Sequence, residues 1–219
     1  MTPGNLVYHV LNRANARMRI FQKEEDYLAF ERVVEEALEQ VSMRMLAYAV
    51  MPNHWHMVLW PDEDNQLPEF MHWLSMTHAQ RWHAHYHTVG AGHLYQGRFK
   101  SFVIQNDDSV LRVCRYVERN ALRAGLVDRA ENWRWGSLWK REHEEKHAAK
   151  LLSKWPVEPP EDWLTLVNQA DHAVELESIR QSAIRSRPFG EESWVAQMAD
   201  TLGLRSTLRL RGRPPRNGS

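Results

Sequence analysis

The sequence has little of several features that define other classes of protein. Cys114 is the single cysteine among 219 residues, which excludes an internal disulfide framework and a zinc finger built on several cysteines. No apolar run reaches the ~18 residues that a membrane span needs. The first residues lack the basic stretch and apolar stretch of a secretory signal. We therefore expect a cytoplasmic protein with no membrane partner.

An excess of charge of either sign is also missing, because 28 basic and 28 acidic residues cancel. This balance excludes a uniformly basic nucleic-acid coat. The distribution is nevertheless uneven: residues 98–141 carry ten basic and five acidic side chains, and the last fifteen residues carry five arginines and no acid. Such segregation attracts polyanions locally, although solvated helix faces explain it equally well.

Hydrophobic periodicity predicts an α+β fold. Strands are predicted over 6–11, 45–51, 54–60 and 99–104, and helices over 24–40, 67–85 and 109–124. Pro52 and Asn53 form the turn of a hairpin, and Asp108 or Ser109 is the expected N-cap of the last helix, which ends at Gly125. The order strand, helix, strand, strand, helix, strand, helix predicts an antiparallel sheet with helices packed on it.

The composition changes after residue 140. A charged, proline-containing connection is expected over 141–160, followed by helical pieces over 161–185 and 191–204. We divide the chain into a domain at 1–140, a helical C-terminal extension at 141–204 and a basic tail at 205–219.

Two groups of histidines have the spacing of metal ligands. His54 and His56 are two apart on a predicted strand, so both imidazoles leave one face while Trp55 enters the other. Neighbouring imidazoles suit a divalent ion, although two unrelated polar residues beside a turn give the same pattern. The histidines of segment 83–87 lie at a predicted helix end, where residues two apart point roughly 200° from one another. Solvated side chains are expected there.

The predicted helix 109–124 carries a second constellation. At 100° per residue its sheet-facing apolar stripe consists of Val110, Val113, Cys114, Val117 and Ala121. Tyr116 and Asn120 lie four apart on the shoulder of that stripe. Beyond Tyr116 follows what we call the arginine ridge: Arg112, Arg115, Arg119 and Arg123. A phenol beside cations suits a nucleophile that attacks a phosphodiester. A half-buried tyrosine beside a solvated arginine face is the structural alternative.

Further candidates for DNA contacts lie outside this helix. They are Asn12, Arg13, Arg98, Lys100, Arg211 and Arg213. The first two lie on a predicted polar loop. The next two flank an aromatic ring, a pattern that favours phosphate binding with base stacking. The last two resemble the core of an AT-hook, which reads a narrow minor groove, and a plain basic tether is the alternative.

Several segments together resemble a known family, the single-tyrosine HUH transposases, and more closely the REP-associated tyrosine transposases of bacteria. The resembling segments are YHVLNR at 8–13, MPNHWH at 51–56, GHLYQGRFK at 92–100, YVERNALRAGLV at 116–127, RPFG at 187–190 and TLRLRGRP at 207–214. The similarity covers most of the chain apart from about 141–171.

The resemblance implies a ferredoxin-like HUH fold with His54, His56 and Asn120 as metal ligands and Tyr116 as nucleophile. The implied metal is Mg²⁺ or Mn²⁺, and the implied substrate is single-stranded DNA with imperfect hairpins. Attack by Tyr116 would give a 5′-phosphotyrosine and a free 3′-hydroxyl, so no nucleotide cofactor is needed. A monomer and a homodimer both stay open.

Three functions are compatible with these residues. The first is a transposase that nicks and rejoins DNA. The second is a hairpin-binding protein or repressor without cleavage activity, and the third is a metal-dependent phosphodiesterase that uses water, with Tyr116 merely structural. The presence of Tyr116, Asn120 and both strand histidines favours the first. A covalent adduct with DNA distinguishes it from the other two.

Overall fold

The computed structural model describes residues 2–209. The strands are β1 Val7–Arg13, β2 Arg44–Met51, β3 His54–Trp60 and β4 Lys100–Ile104. The helices are α1 Glu24–Gln40, α2 Gln66–His85, α3 Asp108–Glu118, α4 Asn120–Arg123, α5 Ser137–His143, α6 Glu145–Leu151, α7 Trp163–Asn168, α8 Ala173–Arg185 and α9 Glu192–Thr201. No helix within these residues is long and apolar enough to cross a membrane.

The four strands form one antiparallel sheet in the order β2-β3-β1-β4. This order, with α1 after β1 and α2 after β3, is the ferredoxin-like arrangement. The hairpin predicted at Pro52 and Asn53 is present, with Met51 paired to His54. The α+β fold predicted from the sequence is confirmed.

Each face of the sheet has its own core. Helices α1 and α2 cover one face, where Phe30 and Phe70 pack in a cluster with Trp55 and Met57 of β3. Helix α3 covers the other face, and all five residues of its predicted apolar stripe are fully buried. Burying one large aliphatic side chain stabilises a fold by ~1.5–3 kcal/mol. The stripe therefore fixes which side of α3 faces the sheet.

The first strand is longer than predicted. Asn12 and Arg13, expected on a polar loop, belong to β1 because its pairing with β3 continues to Arg13 opposite His54. The prediction was wrong because polar side chains were taken to indicate a loop, whereas Asn12 is buried within the strand.

The last predicted helix of the domain also differs in detail. Its N-cap is Asp107, whose side chain accepts a hydrogen bond from the Ser109 amide, in place of Asp108 or Ser109. The helix predicted over 109–124 is interrupted at Arg119 and continues as α4. It ends as predicted at Gly125, which has a φ of +68°.

The C-terminal extension is more helical than predicted and is attached to the sheet. Helices α5 and α6 reach into the expected connection, and the helical pieces expected over 161–185 are α7 and α8. The Ser153 amide donates to Met45 on β2, and the Phe189 amide donates to Val103 on β4. The extension therefore contacts both edges of the sheet. Residues 210–219 of the predicted tail, with Arg211 and Arg213, lie outside the described residues.

Candidate active site

His54 and His56 lie side by side on the sheet face that α3 covers. Their ring centroids are 5.1 Å apart, as strand geometry predicts for residues two apart. Trp55 enters the opposite face and is fully buried.

One nitrogen of each ring is occupied by a neighbour. Nδ1 of His54 is 2.6 Å from Oδ1 of Asn53, and Nδ1 of His56 is 2.8 Å from Nε2 of His9. Burial lowers the pKa of His54 to about 4, with Arg13 adding to the effect, and burial lowers the pKa of His56 well below its usual value. Both imidazoles are therefore neutral near pH 7, which is the form that binds a metal ion.

Tyr116 on α3 faces this pair. Its ring centroid is 5.8 Å from that of His56, and the guanidinium carbon of Arg123 lies 4.5 Å from the Tyr116 centroid. Burial raises the pKa of the phenol, whereas the charges of Arg123, Arg180 and Arg13 oppose the rise. The phenol is protonated at neutral pH, and the cations around it favour its anionic form.

Asn120 begins α4, one turn after Tyr116, and is buried. Neutral imidazole nitrogens and a carboxamide oxygen are ligands for divalent cations, so the chemistry of His54, His56 and Asn120 fits a divalent ion. Within the described part of the chain, no group of three or more His, Cys, Asp or Glu side chains offers an alternative metal site.

Most of the arginine ridge points at the C-terminal extension. Arg115, Arg119 and Arg123 converge on the carboxylate of Asp171, at distances of 3.8, 3.2 and 2.8 Å. Arg115 and Arg119 also donate to main-chain carbonyls at the end of α7. Burial alone would raise the pKa of Asp171, but Arg123, with the other two arginines, holds it below its usual value. These three guanidinium groups are bound within the protein, whereas Arg112 is exposed.

A basic groove of about 390 Å³ is bordered by Arg13, Arg98, Lys100 and Ile184. Arg13 connects it to the site, because this residue pairs with His54 across the sheet. The groove lies between β1, β4 and α8, and Asn12 also lines it. Nε of Arg13 is buried and has no hydrogen-bond partner among residues 2–209. The structure thus brings four of the residues predicted to contact DNA into one groove.

Helix α8 also carries Arg180 toward Tyr116. Arg180 is exposed and lies one helical turn before Ile184, which borders the groove. Sequence reasoning missed Arg180 and Asp171 because their place depends on how distant helices pack. His9 was also missed. Its position could have been found from the two-residue period of a strand, which places His9 on the same face as Arg13.

The histidines of segment 83–87 lie away from this site, at the end of α2 on the other face of the sheet. Nδ1 of His83 is 2.8 Å from the hydroxyl of Thr88, and Nε2 of His85 is 3.3 Å from Nζ of Lys23.

The arrangement combines a phenol, a group of side chains that fits a divalent ion, and cations along one groove, which suits attack on a phosphodiester. A family model described as "Transposase IS200 like" matches residues 3–120, which include Tyr116, Asn120 and both strand histidines. No curated protein sequence matches the chain. Because the model covers more than half of the chain, the protein belongs to the IS200-like transposase family.

Two solved structures are similar to this chain. One is described as a REP-associated tyrosine transposase bound to a REP hairpin; its identity is 16%, its TM-score is 0.52, and the match covers 72% of this chain and 87% of that one. The other is a putative transposase from Deinococcus radiodurans R1, with 18% identity, a TM-score of 0.40 and coverage of 52% and 88%. The first likeness shows a shared fold. The family model confirms the resemblance to transposases that was drawn from the sequence.

Proposed function

We propose that this protein nicks and rejoins single-stranded DNA beside hairpins, with Tyr116 as the nucleophile and a divalent ion at the strand histidines. The observation that carries the proposal is the 5.8 Å separation between the rings of Tyr116 and His56 in a chain of this family. The REP hairpin bound to the structural neighbour supports hairpin DNA as the substrate.

In the proposed step the phenolic oxygen of Tyr116 attacks a backbone phosphorus of the DNA. The phenol gives up its proton to solvent, the bond from phosphorus to the 3′ oxygen breaks, and that oxygen takes up a proton from solvent and leaves as a hydroxyl. The other strand end stays on the protein as a 5′-phosphotyrosine, which retains the energy needed for rejoining. Ionising a phenol of pKa ~10 at pH 7 costs about 4 kcal/mol. Burial adds to this cost, so the cations near Tyr116 are needed to offset it.

His54, His56 and Asn120 are the residues that would hold the ion. Transposases of this family generally use a divalent metal. When bound, the metal supplies Lewis-acid stabilisation of the phosphate oxygens on which negative charge develops.

The basic groove is proposed to bind the single-stranded part of the substrate. Arg13, Arg98, Lys100 and Arg180 would contact backbone phosphates there, with Asn12 beside them. Arg112 is a proposed outer contact on the same helix as the nucleophile. Arg211 and Arg213 are also proposed to contact DNA, on the basis of the sequence alone.

Covalent trapping tests the proposal. The protein is incubated with Mg²⁺ or Mn²⁺ and a pool of oligonucleotides that each carry a hairpin stem and randomised single-stranded arms, then resolved on a denaturing gel. We expect an adduct with the wild type and none with Tyr116→Phe, which keeps the basic groove and therefore binds DNA nearly as well. His54→Ala and His56→Ala also lose the adduct, whereas the matched control His83→Ala keeps it.

Two outcomes would contradict this function. DNA cleavage without an adduct would indicate a phosphodiesterase that uses water. Hairpin binding with neither cleavage nor adduct would indicate a binding protein or repressor.

A further inference from the structure

His9 is buried between the sheet and α3, and its place in the fold is unusual. Its ring stacks on Phe102 with centroids 4.7 Å apart, and its Nε2 is 2.8 Å from Nδ1 of His56. Its own Nδ1 is buried and has no hydrogen-bond partner among residues 2–209. A buried polar atom without a partner destabilises a fold. Stability therefore does not explain a histidine at this position, where an apolar ring would pack on Phe102 equally well.

The contact with His9 determines which atom of His56 is available. Because Nδ1 of His56 is occupied, Nε2 is the nitrogen left to bind an ion. In that tautomer Nδ1 of His56 carries the ring proton, and this N–H donates a hydrogen bond to Nε2 of His9. A ligand held in this way has its tautomer and its ring orientation set before the ion arrives.

The other strand histidine has an equivalent partner. Nδ1 of His54 lies 2.6 Å from Oδ1 of Asn53, which leaves its Nε2 available as well. Each proposed ligand thus has one outer hydrogen bond, from the hairpin turn for His54 and from the core for His56.

We propose that His9 is a positioning residue for metal binding: it orients His56 through the hydrogen bond between Nε2 of His9 and Nδ1 of His56. The inference rests on the metal site of the proposed function. It adds a residue that does not itself touch the ion or the DNA.

Binding of Mn²⁺ to the DNA-free protein, followed by the electron paramagnetic resonance of free Mn²⁺, tests this role without relying on activity. His9→Phe keeps a ring against Phe102 but loses the hydrogen bond. We expect its Mn²⁺ affinity to fall 10- to 100-fold, roughly the effect of removing such an outer partner. We expect its melting temperature to stay equal or rise, because the unpartnered Nδ1 is gone. His9→Gln, which keeps a polar atom within reach of His56, recovers most of the affinity.

A matched control is His78→Phe. His78 is a buried histidine on the other face of the sheet, with Nδ1 2.6 Å from the Tyr95 hydroxyl. Its replacement should lower the melting temperature and leave Mn²⁺ affinity unchanged, the reverse of the pattern at His9.

Wild-type Mn²⁺ affinity in folded His9→Phe would overturn the inference and leave the metal site standing. Absence of Mn²⁺ binding by the wild type would overturn the metal site and the inference together. If His9→Phe does not fold, His9→Asn takes its place, since its shorter amide does not reach His56. Equal Mn²⁺ affinities of His9→Asn and His9→Gln would then overturn the inference.

Discussion

At the scale of single residues, the surroundings of each histidine decide its chemistry. The sequence predicted the pair His54 and His56 correctly as neighbours, because the two-residue period of a strand is a local property. It did not predict the burial of His9 and His78, because burial depends on which strands and helices pack together. His78 shows the consequence for stability most clearly, since it lies far from the proposed metal site.

Burial keeps His78 neutral, and a chain of hydrogen bonds satisfies its ring nitrogen. The indole N–H of Trp55 donates to the hydroxyl of Tyr95 at 3.0 Å, and that hydroxyl donates to Nδ1 of His78 at 2.6 Å. Burial lowers the pKa of His78 to about 3, against 6.5 in the unfolded chain. The stability that neutral His78 contributes is therefore fully present above pH 6.5 and is lost as the pH falls toward 3.

His78→Gln should remove this dependence, because an amide does not titrate. Between pH 7 and pH 4.5 the free energy of unfolding should fall by roughly 2–3 kcal/mol more in the wild type than in His78→Gln. Urea titrations at both pH values measure the difference, and His72→Gln, an exposed histidine of the same helix, should behave as the wild type. A parallel fall in wild type and His78→Gln would show that another group controls the acid sensitivity.

At the scale of elements, the buried face of α3 could be predicted from the sequence, whereas the partners of its arginines could not. Its apolar stripe and the neighbouring phenol follow from helical periodicity and are found as predicted. The partner of the arginine ridge is Asp171, which lies 48 residues beyond Arg123 in the chain. No local pattern links residues so far apart, so the ridge could be predicted as a row of cations but not as a set of ion pairs.

The salt dependence of DNA binding distinguishes arginines that contact DNA from arginines that are paired within the protein. Removing one cation that neutralises a phosphate of single-stranded DNA should reduce the slope of log affinity against log salt by ~0.7. Arg180→Ala should show this reduction, because Arg180 is exposed beside the groove. Arg119→Ala should leave the slope unchanged and lower the melting temperature, because Arg119 is bound to Asp171 and to α7.

Fluorescence anisotropy with a labelled hairpin oligonucleotide, in a Tyr116→Phe background, measures these slopes at several salt concentrations. Arg32→Ala is the matched control, since Arg32 is exposed on α1 across the sheet. A reduced slope in Arg119→Ala would contradict this assignment. It would mean that the segment between α7 and α8 moves away from α3, so that the arginine ridge contacts DNA as predicted from the sequence.

At the scale of the whole molecule, the C-terminal extension completes the core on the sheet face that α3 covers. Ile179 and Phe189 pack with α3 on the sheet, and Arg141 forms an ion pair with the fully buried carboxylate of Glu118. The indole of Trp163 donates to the same carboxylate at 2.8 Å. The sequence predicted helices here, but it could not predict their attachment, which depends on contacts between distant segments.

Truncation after Lys140 should therefore destabilise the fold strongly. Removing one partner of a buried ion pair costs about 3–5 kcal/mol, and exposure of the apolar core beneath the extension adds to this. Thermal unfolding followed by circular dichroism should show a much lower melting temperature or no cooperative transition. A fragment 1–140 that melts with the full chain would instead support an independent domain with the boundary drawn from the sequence.

In the proposed reaction Tyr116 itself becomes joined to DNA, so the position of the adduct in the chain is the decisive observation. The trapped complex is digested with nuclease and protease, and the peptide that carries the residual nucleotide is identified by mass spectrometry. We expect a nucleotide linked through its 5′ phosphate to Tyr116, and a released strand that ends in a 3′-hydroxyl. A nucleotide on another residue, or a released strand that ends in a 3′ phosphate, would contradict it.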